Sequence, residues 1–354
     1  MEKKYFDKND TLIYKGLGIL FIVIHNYLHW QPGFGIENED KFSKKNFYTF
    51  TEYLSPFEWT NTISSISGFL GHYGVQIFIF FSAYGLTIQF INNKDKLNYF
   101  DYLFKRLKKL YFLLFFGIIL YIIFYFMLNG KFYGTARTIK QTLLLSTSIS
   151  NLRHSTLYAM FTGPFWFFGL MVQLYIIFPL LFKIVKKYNN YLVFFCSFLL
   201  IYTLYYFDLT TTFSLFGTII GHLPEVLLGI SLAINEKTKP SLLLFISCLI
   251  LFVISQITTY IFPLSFLSMT IILIYTIEFI KKYLNSFWIE VLKYFGAISM
   301  SLFVVNGFFR LHPLFKIEDH SLRGERIFLY LVLLFIVTHY IHKIYIFISS
   351  KLRI

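Results

Sequence analysis

Long apolar stretches recur along the whole sequence and are separated by polar segments. A helix crosses the hydrocarbon core of a bilayer when it supplies about 20 mostly apolar residues. Ten stretches approach or reach this length, so the pattern predicts an all-α, polytopic transmembrane helical bundle that forms one domain over residues 1–354. The predicted spans are 11–30, 71–91, 110–128, 162–183, 191–207, 213–234, 241–257, 262–280, 291–309 and 326–347.

Two of the predicted connections are long. Residues 31–70 join the first two spans, and residues 129–161 join the third and the fourth. Within the second connection, the segment TARTIKQTLLLSTSI predicts an amphipathic helix at the membrane interface. A charged segment precedes the first span, but no small-residue cleavage pattern follows it, so we expect this span to be retained.

The basic residues predict how the spans are oriented. The sequence has 32 Lys and Arg against 18 Asp and Glu, a formal net charge of +14. With a cytoplasmic N-terminus and ten spans, 21 of the 32 basic residues fall in cytoplasmic segments or near the cytoplasmic ends of the spans. This excess follows the positive-inside rule. We therefore predict that both termini are cytoplasmic.

Composition excludes the soluble classes of protein. Hydrophobic residues make up 56% of the chain and charged residues 14%, with a mean hydropathy of +0.62; soluble domains average about 25% charged residues. The positive charge therefore indicates contact with membrane lipids, and no nucleic-acid partner is expected. Cys196 and Cys248 both lie in apolar stretches, so neither a disulfide framework nor a CxxC metal site is predicted.

Ionisable residues inside a span are costly, and they usually face a cavity or a partner. The first span carries Lys15, His25 and His29. On a helix the two histidines lie one turn apart on nearly the same face, and His25 lies about 15 Å beyond Lys15. Imidazoles titrate near neutrality, so this pair is a candidate for proton transfer. The alternative is that Lys15 reaches the headgroups and each histidine satisfies a buried hydrogen bond.

Five segments, in order along the chain, resemble the acyltransferase-three family of integral membrane O-acyltransferases. They are YKGLGILFIVIHNYLHW, GVQIFIFFSAYGLTI, FWFFGLMVQLYIIFPLL, LPEVLLGISLA and GAISMSLFVVNGFF. Members of this family move acyl groups, usually acetyl from acetyl-CoA, onto sugars of bacterial surface polysaccharides. The resemblance thus implies a multi-pass enzyme of the bacterial cytoplasmic membrane. Its expected partners are acetyl-CoA as donor, a polysaccharide or lipid-linked sugar as acceptor, and lipids, with no permanently bound cofactor.

The first helix departs from the family pattern. Its basic residue, commonly Arg in the family, is Lys15 here. Nine residues rather than ten separate it from His25, so Asn26 stands where the family histidine is expected. Either His25 or His29 is then the functional histidine. We favour His25, because its depth is closest to the family position.

Three later positions also bear on the resemblance. Gln173 stands where many members have a carboxylate, and Asn306 replaces a frequent histidine. Glu225 matches an acidic position found in part of the family. The expected carboxylate and the late proton carrier are therefore absent from this chain, whereas Glu225 is kept as a candidate catalytic residue.

The resemblance implies roles for the remaining candidates. His25 is expected to act as general base on the acceptor hydroxyl, with a covalent acetyl-histidine relay as the alternative. His29 or Glu225 is expected to orient or deprotonate it. Ser82 and Tyr84 are candidate donors to the developing oxyanion, with helix packing as the alternative. The residues expected to bind acetyl-CoA or its reacting carbonyl are Lys15, Arg106, Ser82 and Tyr84.

The acceptor sugar is expected at the outer side of the membrane. Trp30 offers a stacking face there, and Glu37 and Glu39 offer acceptors for sugar hydroxyls, unless they only form a solvated acidic loop. The full expected substrate-binding set is Trp30, Glu37, Glu39, Trp166, Gln173, Asn306 and Arg310. No metal site is expected, because the EF-hand spacing of a calcium loop is absent. A membrane transporter or flippase, or a non-catalytic factor in polysaccharide export, is the alternative function.

Overall fold

The computed structural model describes residues 5–31, 37–39, 41–55, 57–92, 98–132, 134–152, 163–207, 214–235, 241–317 and 323–353. Within these ranges the regular elements are all helical, which confirms the all-α class. The α-helices are α1 (Lys8–His29), α2 (Lys44–Tyr53), α3 (Trp59–Leu70), α4 (Gly74–Asn92), α5 (Tyr99–Asn129), α6 (Thr135–Ser146), α7 (Trp166–Lys187), α8 (Asn190–Tyr206), α9 (Leu223–Ile234), α10 (Leu242–Ile257), α11 (Ser265–Lys281), α12 (Ser286–Ala297), α13 (Ser299–Phe309) and α14 (Arg323–Lys351).

Six helical segments in the described part of the chain are long and apolar enough to cross a membrane. They are Lys8–His29, Trp59–Asn92, Tyr99–Asn129, Gly163–Lys187, Phe262–Lys281 and Arg323–Lys351. The helices α12 and α13 meet the same criterion only as a pair, and they are bent by 70° relative to each other. Three shorter apolar helices, α8, α9 and α10, lie at the predicted fifth, sixth and seventh spans. α9 covers only the second half of the predicted sixth span, because residues 214–222 form a 3-10 helix and turns instead of an α-helix. The chain is thus a membrane protein by composition and helix length, while the count of ten spans and the cytoplasmic termini stay predictions.

The segment 31–70 does more than connect the first two spans, contrary to the prediction from hydropathy. It contains α2 and α3, and α3 continues through a 3-10 turn at Gly71–Tyr73 into α4. The second apolar span therefore begins near Trp59 rather than at residue 71. The Ser, Thr and Asn residues of α3 lower its hydropathy, which is why the pattern hides it. In the second long connection, α6 matches the helix predicted for TARTIKQTLLLSTSI.

Glycines let α1 approach its neighbours closely. A Cβ atom on Gly16 would clash with the carbonyl oxygen of Leu292 on α12, and one on Gly296 would clash with that of Leu12. On another face of α1, a Cβ atom on Gly74 would lie 2.5 Å from the carbonyl oxygen of Gly18. Small residues allow such backbone contact between membrane helices. α1 is therefore held between α12 and α4, which fixes the histidines at its end.

Buried tyrosines anchor both halves of α1. The Tyr14 hydroxyl donates to the Glu278 carboxylate on α11 at 2.7 Å. Near the other end, the Tyr27 hydroxyl donates to the carbonyl oxygen of Phe315 at 2.7 Å, and its ring stacks on Tyr330 with centroids 4.2 Å apart. A buried hydroxyl without a partner would cost free energy, so these bonds favour one position of the helix. The C-terminal turn of α1 is consequently a fixed platform.

Candidate active site

A cavity of about 360 Å³ lies at the C-terminal end of α1. It is also bordered by the segment 37–46, by His72, by the start of α7 and by the end of α13. Pockets that bind small ligands commonly have volumes of about 300–1,000 Å³. Seven residues predicted from the sequence line it: His25, His29, Trp30, Glu37, Glu39, Trp166 and Arg310.

His25 is the most constrained side chain of this cavity. It is 4% exposed, and its Nδ1 lies 2.8 Å from the carbonyl oxygen of Gly68. A carbonyl only accepts hydrogen bonds, so Nδ1 carries a proton and donates it to Gly68. The other ring nitrogen, Nε2, lies 2.9 Å from Oε2 of Glu37. The Gly68 bond therefore keeps a proton on Nδ1, and Nε2 is the ring nitrogen that faces Glu37.

Glu37 joins both histidines of α1. Its Oε1 lies 3.2 Å from Nδ1 of His29, while Oε2 faces His25. Its backbone is held in place because Asn46 Nδ2 donates to the Glu37 carbonyl at 2.7 Å. Burial alone would raise the pKa of the Glu37 carboxyl, but the charges and hydrogen bonds of His25 and His29 outweigh it and hold that pKa well below its usual range. The carboxylate is thus anionic beside the imidazoles.

His72 is a site residue that the sequence analysis did not assign. It is 2% exposed, its Nδ1 lies 4.0 Å from Glu37 Oε2, and its ring centroid lies 5.5 Å from that of His25. The available signal was an ionisable residue at the start of a predicted span, in the segment GHYGV. The structure adds the proximity, because the 3-10 turn at Gly71–Tyr73 packs against α1.

Arg310 brings a cation to the lining of the cavity. It is 4% exposed, its Nη1 donates to the carbonyl oxygen of Asn26 at 2.8 Å, and its guanidinium lies 5.2 Å from the centroid of the Trp30 ring. Its buried Nε has no hydrogen-bond partner among the described residues. A buried guanidinium with a free donor is suited to an anionic or carbonyl oxygen of a ligand.

Two predicted substrate-binding residues, Gln173 and Asn306, lie elsewhere and have structural contacts. The Gln173 side chain donates to Asn151 Oδ1 at 3.0 Å and accepts from the Ile219 backbone N–H at 3.1 Å. Asn306 is fully buried and accepts from the Tyr330 hydroxyl. Since neither lines the cavity, their substrate-binding role stays a prediction.

Glu225, predicted as catalytic, also lies outside the cavity lining. It is fully buried in the first turn of α9, and its Oε1 lies 4.0 Å from Nδ1 of His222. His222 in turn bonds the Phe216 carbonyl through Nε2 at 2.9 Å. The structure thus pairs Glu225 with a different histidine from the one that the sequence analysis favoured, and its catalytic role stays a prediction.

The four predicted donor-site residues do not line this cavity either. Tyr84 is buried, and its hydroxyl lies 3.1 Å from the Phe6 backbone nitrogen. Ser82 is half-buried on α4, and Lys15 is half-buried on α1. The Arg106 side chain bonds Gln89 and lies 6.0 Å from the centroid of the Tyr175 ring. A donor site at these residues would lie apart from the histidines.

Comparison with known families identifies the class. The family model for the acyltransferase domain of the acyltransferase-3 family matches residues 13–343, nearly the whole chain. The chain therefore belongs to the acyltransferase-3 family of membrane O-acyltransferases. This confirms the resemblance carried by the five sequence segments. The same comparisons find no matching curated protein and no matching solved structure.

Proposed function

We propose that this chain transfers an acetyl group, or a related acyl group, from cytoplasmic acetyl-CoA to a hydroxyl of a bacterial cell-surface polysaccharide or its lipid-linked precursor. The family supports membrane acyltransferase activity in general. The observation that carries the finer proposal is the contact of His25 Nε2 with Glu37 at 2.9 Å in a cavity of ligand-binding size. A histidine beside a carboxylate is a pair that can remove a proton from a hydroxyl.

The proposed step begins when the acceptor hydroxyl displaces Glu37 Oε2 and hydrogen-bonds to Nε2 of His25. Nε2 takes the hydroxyl proton while the oxygen attacks the thioester carbonyl, and the CoA thiolate leaves and takes this proton from Nε2, which restores the base. The positive charge that forms on His25 is stabilised by the anionic Glu37, whose Oε2 lies 2.9 Å from Nε2 before the hydroxyl enters. The Gly68 carbonyl keeps the His25 ring in one orientation throughout, because it accepts the hydrogen bond from Nδ1.

The acceptor is proposed to lie between Trp30, Trp166 and Arg310. Both tryptophans line the cavity, and their faces suit the apolar face of a pyranose ring. Arg310 offers hydrogen-bond donors from a buried position, which suits a sugar oxygen, a carboxylate or the phosphate of a lipid-linked precursor.

The donor is proposed to enter from the Lys15 end of α1. Lys15 lies about 15 Å from His25 along the helix, so a bound CoA would have to extend its thioester towards the cavity. Arg106 supplies a second cation on α5 for the CoA phosphates.

An acetyl-histidine relay is the alternative to direct transfer, and it uses the same atom, His25 Nε2. The two are distinguished by incubating the protein with acetyl-CoA in the absence of acceptor, because only the relay leaves an acetylated protein that can be trapped.

The test compares surface glycans from cells with the gene, without it, and with His25→Gln at equal expression. NMR of the purified glycan measures the O-acetyl signal and the amount of polymer. We expect the O-acetyl signal to vanish without the gene and with His25→Gln, while the polymer persists. Loss of the polymer itself would instead support an export factor or flippase. An O-acetyl signal retained by His25→Gln would contradict the assignment of the base.

A further inference from the structure

Four side chains converge at the cavity in an arrangement suited to a metal ion. One ligand atom each from His25, His29 and Glu37 lies within 4.8 Å of the other two. The two histidines are four residues apart on α1, which is the spacing at which a helix presents two imidazoles to one zinc ion. His72 adds a third imidazole, with Nδ1 at 4.0 Å from Glu37 Oε2.

A second observation concerns hydrogen bonds. In the described part of the chain, both ring nitrogens of His72 are buried, and neither makes a hydrogen bond of good geometry; His29 Nδ1 and Glu37 Oε2 are also buried, and each faces only another side chain of this cluster. Buried polar atoms are normally paired, because an unpaired one costs about 1–3 kcal/mol. These atoms lie next to one another on three separate segments of the chain. A cation between them would satisfy them together.

The spacing of the donor atoms fits zinc. Zinc bonds to nitrogen and oxygen of about 2.0–2.2 Å place the donors of a tetrahedral site roughly 3.3 Å apart. The His25–Glu37 and His29–Glu37 separations are 2.9 and 3.2 Å, and the His72 separation is 4.0 Å. Imidazole donors favour zinc over calcium or magnesium, which prefer oxygen ligands. The bond from His25 Nδ1 to Gly68 is the outer contact that zinc-binding histidines usually make.

We propose that His25 Nε2, His29 Nδ1 and the Glu37 carboxylate, with His72 Nδ1 as the fourth ligand, form a binding site for one Zn²⁺ ion. The bound ion takes the lone pair of His25 Nε2. It therefore blocks proton transfer from the acceptor, and zinc acts as a reversible inhibitor of acyl transfer. The binding site stands on the geometry alone, whereas the inhibition rests on the proposed function.

The binding test uses the full-length protein in detergent micelles, purified with an affinity tag free of histidine. Co²⁺ is the spectroscopic probe, since a four-coordinate cobalt ion absorbs visible light, and Zn²⁺ is the competitor. We expect one Co²⁺ per chain, displaced by one Zn²⁺. His72→Asn and His29→Asn should weaken binding at least tenfold. His339→Asn, a histidine bonded to Tyr294 on α12, is the matched control and should bind as wild type does.

Thermal unfolding shows whether a variant that does not bind the metal is still folded. Zinc should raise the melting temperature of the wild type and of His339→Asn, but not that of His25→Asn, because only a ligand that binds the folded state stabilises it. Failure to bind Co²⁺, or equal binding by the wild type and the His25, His29 and His72 variants, would overturn the site.

An activity assay separates the two proposals. Inhibition by Zn²⁺ that is relieved by a chelator supports both of them. Binding of zinc without any acyl transfer, with or without a chelator, would contradict the proposed function and leave the metal site supported. Acyl transfer that zinc at saturating concentration leaves unchanged would overturn the proposed inhibition.

Discussion

Gly71→Ala should slow acyl transfer without changing any side chain that is proposed to take part in the reaction. Gly71 begins the 3-10 turn before α4 and packs directly on α1. A Cβ atom at this position would lie 2.6 Å from the Cβ atom of His25 and 2.8 Å from the carbonyl oxygen of Phe21. Since both contacts involve the backbone or the first side-chain atom of α1, no flexible group can move aside. Gly71→Ala must therefore separate the turn from α1.

The structure gives the size of this displacement. Ordinary contacts of a Cβ atom begin at 3.4 Å, and the contact with His25 Cβ would be 2.6 Å, so the turn and His25 must move apart by about 0.8 Å. A shift of about 0.8 Å along the line that joins His25 Nδ1 to the Gly68 carbonyl oxygen would lengthen this 2.8 Å hydrogen bond to about 3.6 Å, beyond hydrogen-bond range. Misplacement of a catalytic group by about 1 Å can cost about 100-fold in rate. We expect the transfer rate to fall by about 10- to 100-fold, or roughly 1.4–2.7 kcal/mol in activation free energy.

The assay is transfer of radiolabelled acetyl from acetyl-CoA to de-O-acetylated surface glycan in isolated membranes. Gly85→Ala is the matched control, because Gly85 lies on α4 and a Cβ atom there has no atom within 4 Å. The control should keep wild-type activity at equal protein level. If Gly71→Ala also keeps it, the close packing of the turn on His25 does not position the base, and the reasoning is refuted.

Three further changes test other parts of the account. Glu37→Gln should lower the transfer rate about 10- to 100-fold, because it removes the charge that stabilises protonated His25. The exposed residue Glu52 on α2 gives the control, since Glu52→Gln should leave the rate unchanged; equal rates for both variants would refute a role for the His25–Glu37 pair. Arg310→Gln should raise KM for the acceptor more than it lowers kcat, with partial rescue by Arg310→Lys, as measured in the same assay; an unchanged KM would contradict an acceptor contact. Gly16→Ala should lower the melting temperature of the purified protein, since overpacking costs about 1–3 kcal/mol, and a melting temperature equal to that of Gly85→Ala would show that α1 and α12 are not in close contact.

Hydropathy predicts the helices of this chain well where they are continuous and apolar. α1, α5 and α14 lie within or around their predicted ranges, because the membrane-spanning length is encoded locally. α3 is missed because its Ser, Thr and Asn residues resemble a polar connection. The 70° bend between α12 and α13 is likewise not visible in hydropathy, since it depends on how the two helices pack on their neighbours.

The site is predictable only where it is local in sequence. His25 and His29 are four residues apart, so helical geometry alone places them together. Glu37 is predicted to bind sugar hydroxyls, but its contact with His25 depends on the path of the chain between them. His72 lies 47 residues beyond His25, and only the packing of its turn against α1 brings it to the cavity.

The central claim is that His25 removes the proton from an acceptor hydroxyl during acyl transfer from acetyl-CoA. The most direct measurement uses the purified protein in liposomes and the same radiolabelled donor and de-O-acetylated glycan, with His25→Gln compared against His339→Gln. General-base catalysis contributes about 10²- to 10⁴-fold. We predict that His25→Gln loses at least about 100-fold in transfer rate while His339→Gln keeps the wild-type rate. A His25→Gln rate within about twofold of wild type would contradict the account.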